Sequence, residues 1–287
     1  MARKFLSLLV PVLAIYFTLL NVATAGAQTP KKEVAPSPVN RGHAWFPGDD
    51  FQRALRDYDI AVIFHPDSAT AYYNRAVLLQ AAGELDKALA DYTKAIELKP
   101  RYTSAYSNRA SIYYARGRID EALADCNRAI EIDSRRSGAY TNRGVLRNAR
   151  GDLEGALADH NQAIRLNPHL AIAYFNRGVF FLNQGKLNPA LTDFNRAIDN
   201  APSMAMAYAN RGSVRVALGD VDAALADYDR AISLNPTVAA AYQNRGIAYL
   251  LLGKESEAER DFARCLELDS SLQSSLDRAV TAARQWR

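Results

Sequence analysis

Residues 71–100 read AYYNRAVLLQAAGELDKALADYTKAIELKP, and the pattern of this stretch decides the fold. Gly83 divides it in two. Before the glycine, Tyr72, Ala76 and Leu79 recur at helical spacing, which predicts a helix near 69–82. Gly83 can take the left-handed conformation that ends a helix. Asp86 then stands where a helix start favours an acid or a capping side chain. A second helix is expected near 87–98, with Ala88, Tyr92, Ala95 and Ile96 turned inward and Pro100 stopping it. The stretch is therefore a helical hairpin, too small to bury its own apolar face.

The same pattern recurs along the chain. Asn-Arg followed by Gly or Ala begins at Asn40, Asn74, Asn108, Asn142, Asn176, Asn210 and Asn244, always 34 residues apart. A fixed period of this length means stacked supersecondary units, each burying its neighbour's face. Counterparts of Asp86 are Asp120, Glu154, Asn188, Asp222 and Ser256, and Pro189 after Asn188 suits the first helical position. One copy carries Tyr72, Ala76, Gly83, Ala88, Tyr92, Ala95 and Pro100; another carries Tyr174, Gly178, Gly185, Ala190, Phe194, Ala197 and Pro202. On these residues the chain resembles the tetratricopeptide repeat family, with six full copies over residues 69–272. A degenerate copy precedes them, keeping Asn40, Arg41, Ala54, Tyr58, Ala61 and Pro66 in register; Pro47 interrupts its first helix and leaves a second near Asp49–Phe64, within residues 49–68. Residues 273–287, with Leu276, Val280, Ala283 and Trp286 at helical spacing, read as a C-terminal capping helix. The resemblance implies an all-α fold, a right-handed α-solenoid (superhelix) of antiparallel helix pairs, and a role in protein–protein interaction.

The first residues carry a different signal. Arg3 and Lys4 precede the uncharged stretch Phe5–Leu20, and small residues at Ala23–Ala27 offer cleavage sites. Residues 1–27 are expected to be a signal peptide for export, into a bacterial periplasm on this reading; a retained N-terminal anchor is the alternative. No Cys follows the apolar stretch to suggest lipoprotein processing. Residues 28–48, with Pro30, Pro36, Pro38 and Pro47, read as a flexible linker. The formal net charge is +4, and two of those charges are Arg3 and Lys4. Such a weak field argues against nucleic acid or an anionic membrane as partner. Cys126 and Cys265, just over four repeats apart, are expected to be small buried hydrophobes and not a disulfide.

Polar residues that recur in every copy need separate reasons. Each Arg after the Asn has an Asp sixteen residues on: Arg75/Asp91, Arg109/Asp125, Arg143/Asp159, Arg177/Asp193, Arg211/Asp227 and Arg245/Asp261, with Arg41/Asp57 in the partial copy. The pair can bridge one hairpin, or the Asp can reach the next copy's Arg; either is a charge-assisted bond that fixes packing. Arg147 and Arg215 stand where other copies have Leu79, Tyr113, Phe181 and Tyr249, and their stems can cover apolar surface while the heads reach water or an acid. Asn is a mediocre helix-interior residue, costing about 0.5 kcal/mol against Ala. In the resembling family this position lines the concave groove. Asn74, Asn108, Asn142, Asn176, Asn210 and Asn244 are thus candidates to bind the backbone of an extended peptide; bonding within the array or to water is the competing reading. Layers about 10 Å apart and about 3.3–3.6 Å per extended residue allow one Asn per three ligand residues. The neighbours one before and three after each Asn are neutral; Tyr73, Val77, Ser111, Val145, Phe175 and Val179 complete the candidate peptide-binding set. The Lys/Asn/Arg carboxylate clamp of chaperone-binding family members has no Lys or Arg here to carry it.

No catalytic constellation, metal-ligand spacing or phosphate loop is present, and no cofactor is expected. His160 fills an aromatic slot held elsewhere by Tyr92, Phe194 and Tyr228 and is expected to pack in the core. Two functions remain. One is a non-enzymatic module holding a protein or peptide segment in its concave groove. The other is a structural scaffold, or a self-associating component of a cell-envelope assembly. Neither invokes nucleic acid, nor a membrane beyond the N-terminal segment.

Overall fold

A computed structural model describes residues 49–285. The expected signal peptide, linker, Asn40, Arg41, Pro47 and Trp286 lie outside the described residues. Among the described residues the structure is all-α, with fourteen helices and one short 3-10 turn. The helices are α1 (Asp49–Phe64), α2 (Ala69–Ala81), α3 (Leu85–Leu98), α4 (Thr103–Ala115), α5 (Ile119–Ile132), α6 (Ser137–Ala149), α7 (Leu153–Leu166), α8 (Ala171–Asn183), α9 (Leu187–Asn200), α10 (Ala205–Leu218), α11 (Val221–Leu234), α12 (Ala239–Leu251), α13 (Glu255–Leu268) and α14 (Gln273–Gln285).

The chain divides within α7, after Ala156, into two compact units. In the N-terminal unit α2 pairs with α3 and α4 with α5, and α1 packs on α2. In the C-terminal unit α8/α9, α10/α11 and α12/α13 form hairpins, each stacked on the next, and α14 covers α12. Leu276, Ala279 and Ala283 are the buried residues of α14, and Val280 is half-buried.

Helix ends follow local chemistry. Gly83 has φ +79°, and the glycine of each later hairpin is likewise left-handed, so the chain reverses there without a Cβ penalty. Second helices start two residues earlier than their sequence pattern suggests, at Leu85 in the first full copy. Asp86 therefore sits in the first turn, and the capping bonds come from the residue two places before: Asp152 accepts from the Gly155 N–H and Asp220 from the Ala223 N–H. Pro189 is third in α9 and not first, a correction to the sequence reading. It is tolerated because the first N–H groups of a helix have no intrahelical acceptor anyway.

The core is made of small residues facing one large one. Ala88, Tyr92 and Ala95 are fully buried in α3, as are Ala190, Phe194 and Ala197 in α9. The Gly or Ala of each first helix exists to admit that ring. A Cβ added at Gly178 would lie 2.8 Å from Phe194, and one at Gly212 would lie 2.8 Å from Tyr228. Cys126 and Cys265 are buried free thiols, Cys126 in the slot that Tyr92 and Phe194 fill in other copies and Cys265 in the alanine position of Ala95 and Ala197.

The Arg–Asp pairs take the within-hairpin form. Arg75, Arg109, Arg177, Arg211 and Arg245 each donate two bonds of 2.6–2.9 Å, through Nε and Nη2, to Asp91, Asp125, Asp193, Asp227 and Asp261. The remaining nitrogen, Nη1, reaches the preceding hairpin. It donates to Asp59 from Arg75, Thr93 from Arg109, Asn127 from Arg143, Asn161 from Arg177, Asn195 from Arg211 and Asp229 from Arg245, at 2.7–3.1 Å. The Tyr three residues before each Arg adds a cation–π contact, such as Tyr208 at 5.3 Å from Arg211. The heads of Arg147 and Arg215 do reach acids, Asp152 at 3.5 Å and Asp227 at 3.0 Å.

Asp193 is 2% exposed, so removing its partner strands a buried carboxylate. Arg177→Ala is expected to cost about 3 kcal/mol, read as a lower urea midpoint. Arg177→Lys should recover only part of the loss, because an ammonium cannot form the two-pronged bond.

Candidate functional site

The first helices of neighbouring hairpins lie side by side, α4 with α6 in the N-terminal unit, and α8 with α10 and α10 with α12 in the C-terminal unit. The six Asn residues sit on these helices at one helical phase. Residues four before, one before, three after and seven after each Asn share that face. None of them is charged in any copy, from Thr70, Tyr73, Val77 and Ala81 to Ala240, Gln243, Ile247 and Leu251. Charges lie elsewhere, in the Arg–Asp pairs, at Arg147 and Arg215, and on the second helices, where Lys94–Glu97, Arg128–Glu131 and Arg264–Glu267 pair one turn apart.

In the N-terminal unit the candidate residues are tied into a closed network. Asn108 donates to the Tyr92 hydroxyl at 3.2 Å and the Tyr73 hydroxyl at 3.3 Å. Tyr92 donates to Gln80 at 2.9 Å, Gln80 donates to Ser111 at 2.9 Å, and Ser111 donates to the Asn108 carbonyl at 2.6 Å. Asn74 bonds the Tyr58 hydroxyl in the same manner. Burial pushes the Tyr92 phenol well above its ordinary range, which keeps the donor proton in place. The Tyr73 ring stacks near Tyr92 and Tyr102, with centroids 5.8 and 4.8 Å away. Val77, Asn142 and Val145 are half-buried on the same face.

The C-terminal unit is built differently. The residue sixteen before each Asn supplies the hydroxyl in the first copies, as Tyr58 and Tyr92; here those residues are His160, Phe194 and Tyr228. Asn176, 3% exposed, has neither carboxamide atom hydrogen-bonded. Asn210 and Asn244 are fully buried; their nitrogens donate to the Met206 carbonyl and to Ser213, and both carboxamide oxygens lack a partner. Gln243 beside them is fully buried with both amide atoms unpaired. Ser213 donates to the Ala209 carbonyl and accepts from Tyr228 and Asn244. Phe175 is buried with its ring 5.9 Å from Phe194, and Val179 is half-buried.

Sequence reasoning placed the six Asn residues on one face but missed that they fall into two kinds. Part of the signal was present in the residue sixteen before the Asn, Tyr58 and Tyr92 against His160 and Phe194. It also missed Gln80. Among the described residues no group of His, Cys, Asp and Glu could hold a metal ion, and no helix is long and apolar enough to cross a membrane.

Comparison with known proteins fits this architecture. Sequence profiles described as tetratricopeptide repeat match residues 69–102, 103–135, 171–204 and 239–272, and one described as TPR repeat matches 146–185 and 212–253. Together they span more than half of the chain, which belongs to the tetratricopeptide repeat family. A search of curated proteins finds no match. Among solved structures, the anaphase-promoting-complex hetero-tetramer Cut9–Hcn1 superposes with a TM-score of 0.70 at 17% identity, over 80% of this chain and 49% of that one. The chain thus spans about half the length of that relative. A tetratricopeptide repeat protein from Parabacteroides merdae gives 0.64 at 21% identity, over 81% and 93%. A thermophilic TPR protein of Thermus thermophilus gives 0.57 at 22%, over 64% and 100%. At these identities the likeness shows the fold alone.

Two outcomes follow from the two kinds of rung. Tyr92→Phe leaves Gln80 and Asn108 short of a partner and should lower thermal stability by about 1–2 kcal/mol. His160 is 1% exposed, and burial, with the Arg177 charge second, pushes its pKa from 6.5 down to about 4. The unfolded chain therefore binds the extra proton between pH 6.5 and 4, and stability falls as pH drops through that window, by up to about 3 kcal/mol. His160→Phe should flatten the dependence of the urea midpoint on pH over the same range.

Proposed function

We propose that this chain is a non-enzymatic interaction module that holds a segment of another protein along the concave face formed by its first helices. The observation that carries this reading is the uncharged face running through every copy, in a chain whose charges are otherwise plentiful. Within each unit, a strip of uncharged side chains bearing carboxamides, which the Arg136 guanidinium meets at Ser104, suits a ligand bound through its backbone and apolar side chains. A folded acidic or basic partner would call for charges that the strip lacks. Arg3, Lys4, the uncharged Phe5–Leu20 and the small residues after it support export, and we place the module in a bacterial periplasm on that basis.

A second reading, scaffold or self-association, has its own observation. Ile60, Ile63 and Phe64 at the end of α1 are 43%, 73% and 74% exposed. Ile60 and Ile63 occupy the positions that carry the pairs Lys94–Glu97, Arg128–Glu131 and Arg264–Glu267 in later copies. An apolar group at a position otherwise charged marks a contact surface.

Photo-crosslinking residues at Ser111, Val145 and Val179, with Lys94 as control and Ile63 for the second reading, separate the two in the envelope of the source cell. One partner captured from the three first-helix sites and not from Lys94 is the expected outcome. Capture from Ile63 alone, or only of the chain itself, would replace the first reading by the second.

A further inference from the structure

We propose that the segment held on the uncharged strip carries acidic side chains beside its apolar residues, and that in the N-terminal unit the turns leading into α4 and α6 take these carboxylates through Lys99, Arg101, Arg135 and Arg136. This rests on the proposed function and adds a second recognition surface at the edge of the strip, with a charge requirement that the strip itself does not impose.

The charge is placed unevenly. The turn before α4 reads Lys99-Pro100-Arg101-Tyr102, and the turn before α6 reads Asp133-Ser134-Arg135-Arg136. The turns before α8, α10 and α12, at 167–170, 201–204 and 235–238, hold no Lys, Arg, Asp or Glu. The four cations also lack acids. None of them forms an ion pair among the described residues, whereas Lys87, Lys94, Arg116, Arg118, Arg128 and Arg150 of the same unit each do. Asp133, the one acid of the two turns, accepts from the Arg135 backbone N–H at 3.0 Å. Asp67 stands one turn earlier, before α2.

The cations reach the strip itself. Arg136 is half-buried, and its Nη2 donates at 2.9 Å to Ser104, a strip position of α4. A neutral hydroxyl does not balance a guanidinium partly withdrawn from water, and the donors it leaves over suit a carboxylate. Ser104 also bonds the Tyr73 hydroxyl, and the Tyr73 ring lies 4.8 Å from that of Tyr102. The Lys99 ammonium lies 4.8 Å from the Tyr102 ring centroid in turn. Burial holds both phenols above their ordinary range, with Tyr102 pushed up to about 12, so neither puts a negative charge beside the cations. Lys99, Tyr102, Tyr73, Ser104 and Arg136 thus form one continuous run of cations and hydroxyls without a carboxylate. Arg101 and Arg135 are exposed and extend its field into solvent.

Spacing lets one segment use both surfaces. Packed helices lie about 8–10 Å apart, so two successive turns are within reach of an extended stretch of about three or four residues. An acidic stretch of that length meets the turns, and the apolar residues that follow it lie on the strip, where a charge would find no counter-charge.

The test uses the full chain and fluorescent peptides of about twelve residues, blocked at both ends so that no terminal carboxylate contributes. All share one apolar stretch of Ala, Val and Leu. Beside it they carry an acidic flank of Asp and Glu, its amide counterpart of Asn and Gln, or a basic flank of Lys and Arg. The acidic peptide is expected to bind about tenfold tighter than the amide peptide at low salt, and the gap should close as ionic strength rises to about 0.5 M. Lys99→Gln with Arg136→Gln should bring the acidic peptide down to the affinity of the amide peptide, and leave the amide peptide within about twofold of its own value. Lys94→Gln with Arg128→Gln removes the same charge from the second helices and should preserve the gap. The comparison of acidic with amide flank alters only the peptide, so it stands even where a variant fails to fold. Saturable binding with equal affinity for the two, or tighter binding of the basic peptide, would overturn the acidic requirement and leave the proposed function standing. A gap that survives Lys99→Gln with Arg136→Gln, or that Lys94→Gln with Arg128→Gln removes as fully, would overturn its placement in the turns. No saturable binding by any peptide would overturn the proposed function and this inference with it.

Discussion

Each repeat hangs on one guanidinium. Its planar fork offers five N–H donors in fixed directions, and the hairpin uses them on two fronts. Two nitrogens close on the Asp of the same hairpin, and the third reaches back sixteen residues to the hairpin before, as from Arg211 to Asp227 and Asn195. The Asp is buried and can exist there only as part of this pair. The Tyr three residues earlier lies near the same guanidinium, so the Arg sits between a ring and an acid. Loss of the fork would therefore disturb the angle within a hairpin and the seam between hairpins together. The small residues that admit Phe194 or Tyr228 serve a packing that the fork has already oriented.

With charges committed to that fork and to the second helices, the opposite side of each first helix is left neutral. The chain then diverges in how it treats the Asn on that side. Where the preceding second helix carries a tyrosine, as at Tyr92, the carboxamide joins a network with Gln80 and Ser111. Where it carries Phe194 or His160, carboxamide oxygens are left over. At Tyr92 a hydroxyl on one helix thus ties a rung on another into the fold. Tyr228 shows the intermediate case: its hydroxyl goes to Ser213, which also takes the Asn244 nitrogen, and the Asn244 oxygen remains.

Much of the architecture was legible in the sequence because the signals repeat. Helix positions, the left-handed glycines, the buried Tyr92 and Phe194 slots and the Arg–Asp pairs all follow from residue types at fixed offsets. Helix starts were less legible. Leu85 begins its helix without any capping side chain, and Pro189 sits two places deeper than its residue type suggests. The third Arg nitrogen was invisible because its acceptors differ from copy to copy: Asp59, Thr93, Asn127, Asn161, Asn195 and Asp229 share only a side-chain oxygen. The two kinds of Asn were hidden for a related reason. An identical residue seven times over reads as one feature, while its chemistry depends in part on a residue of another helix that changes from Tyr to His to Phe.

The backward reach of the Arg also bears on how such a chain can grow. A duplicated segment of one period carries its own fork, its own Asp and an oxygen ready for the next fork. It can be spliced after any copy but the last, where Ala263 stands at the acceptor position, without altering a residue on either side of the junction. The acceptor needs only to present an oxygen, so it is free to drift among Asp, Asn and Thr once the copy is made. Lengthening the array is then neutral for the seam, and selection can act on what each new copy displays on its uncharged side.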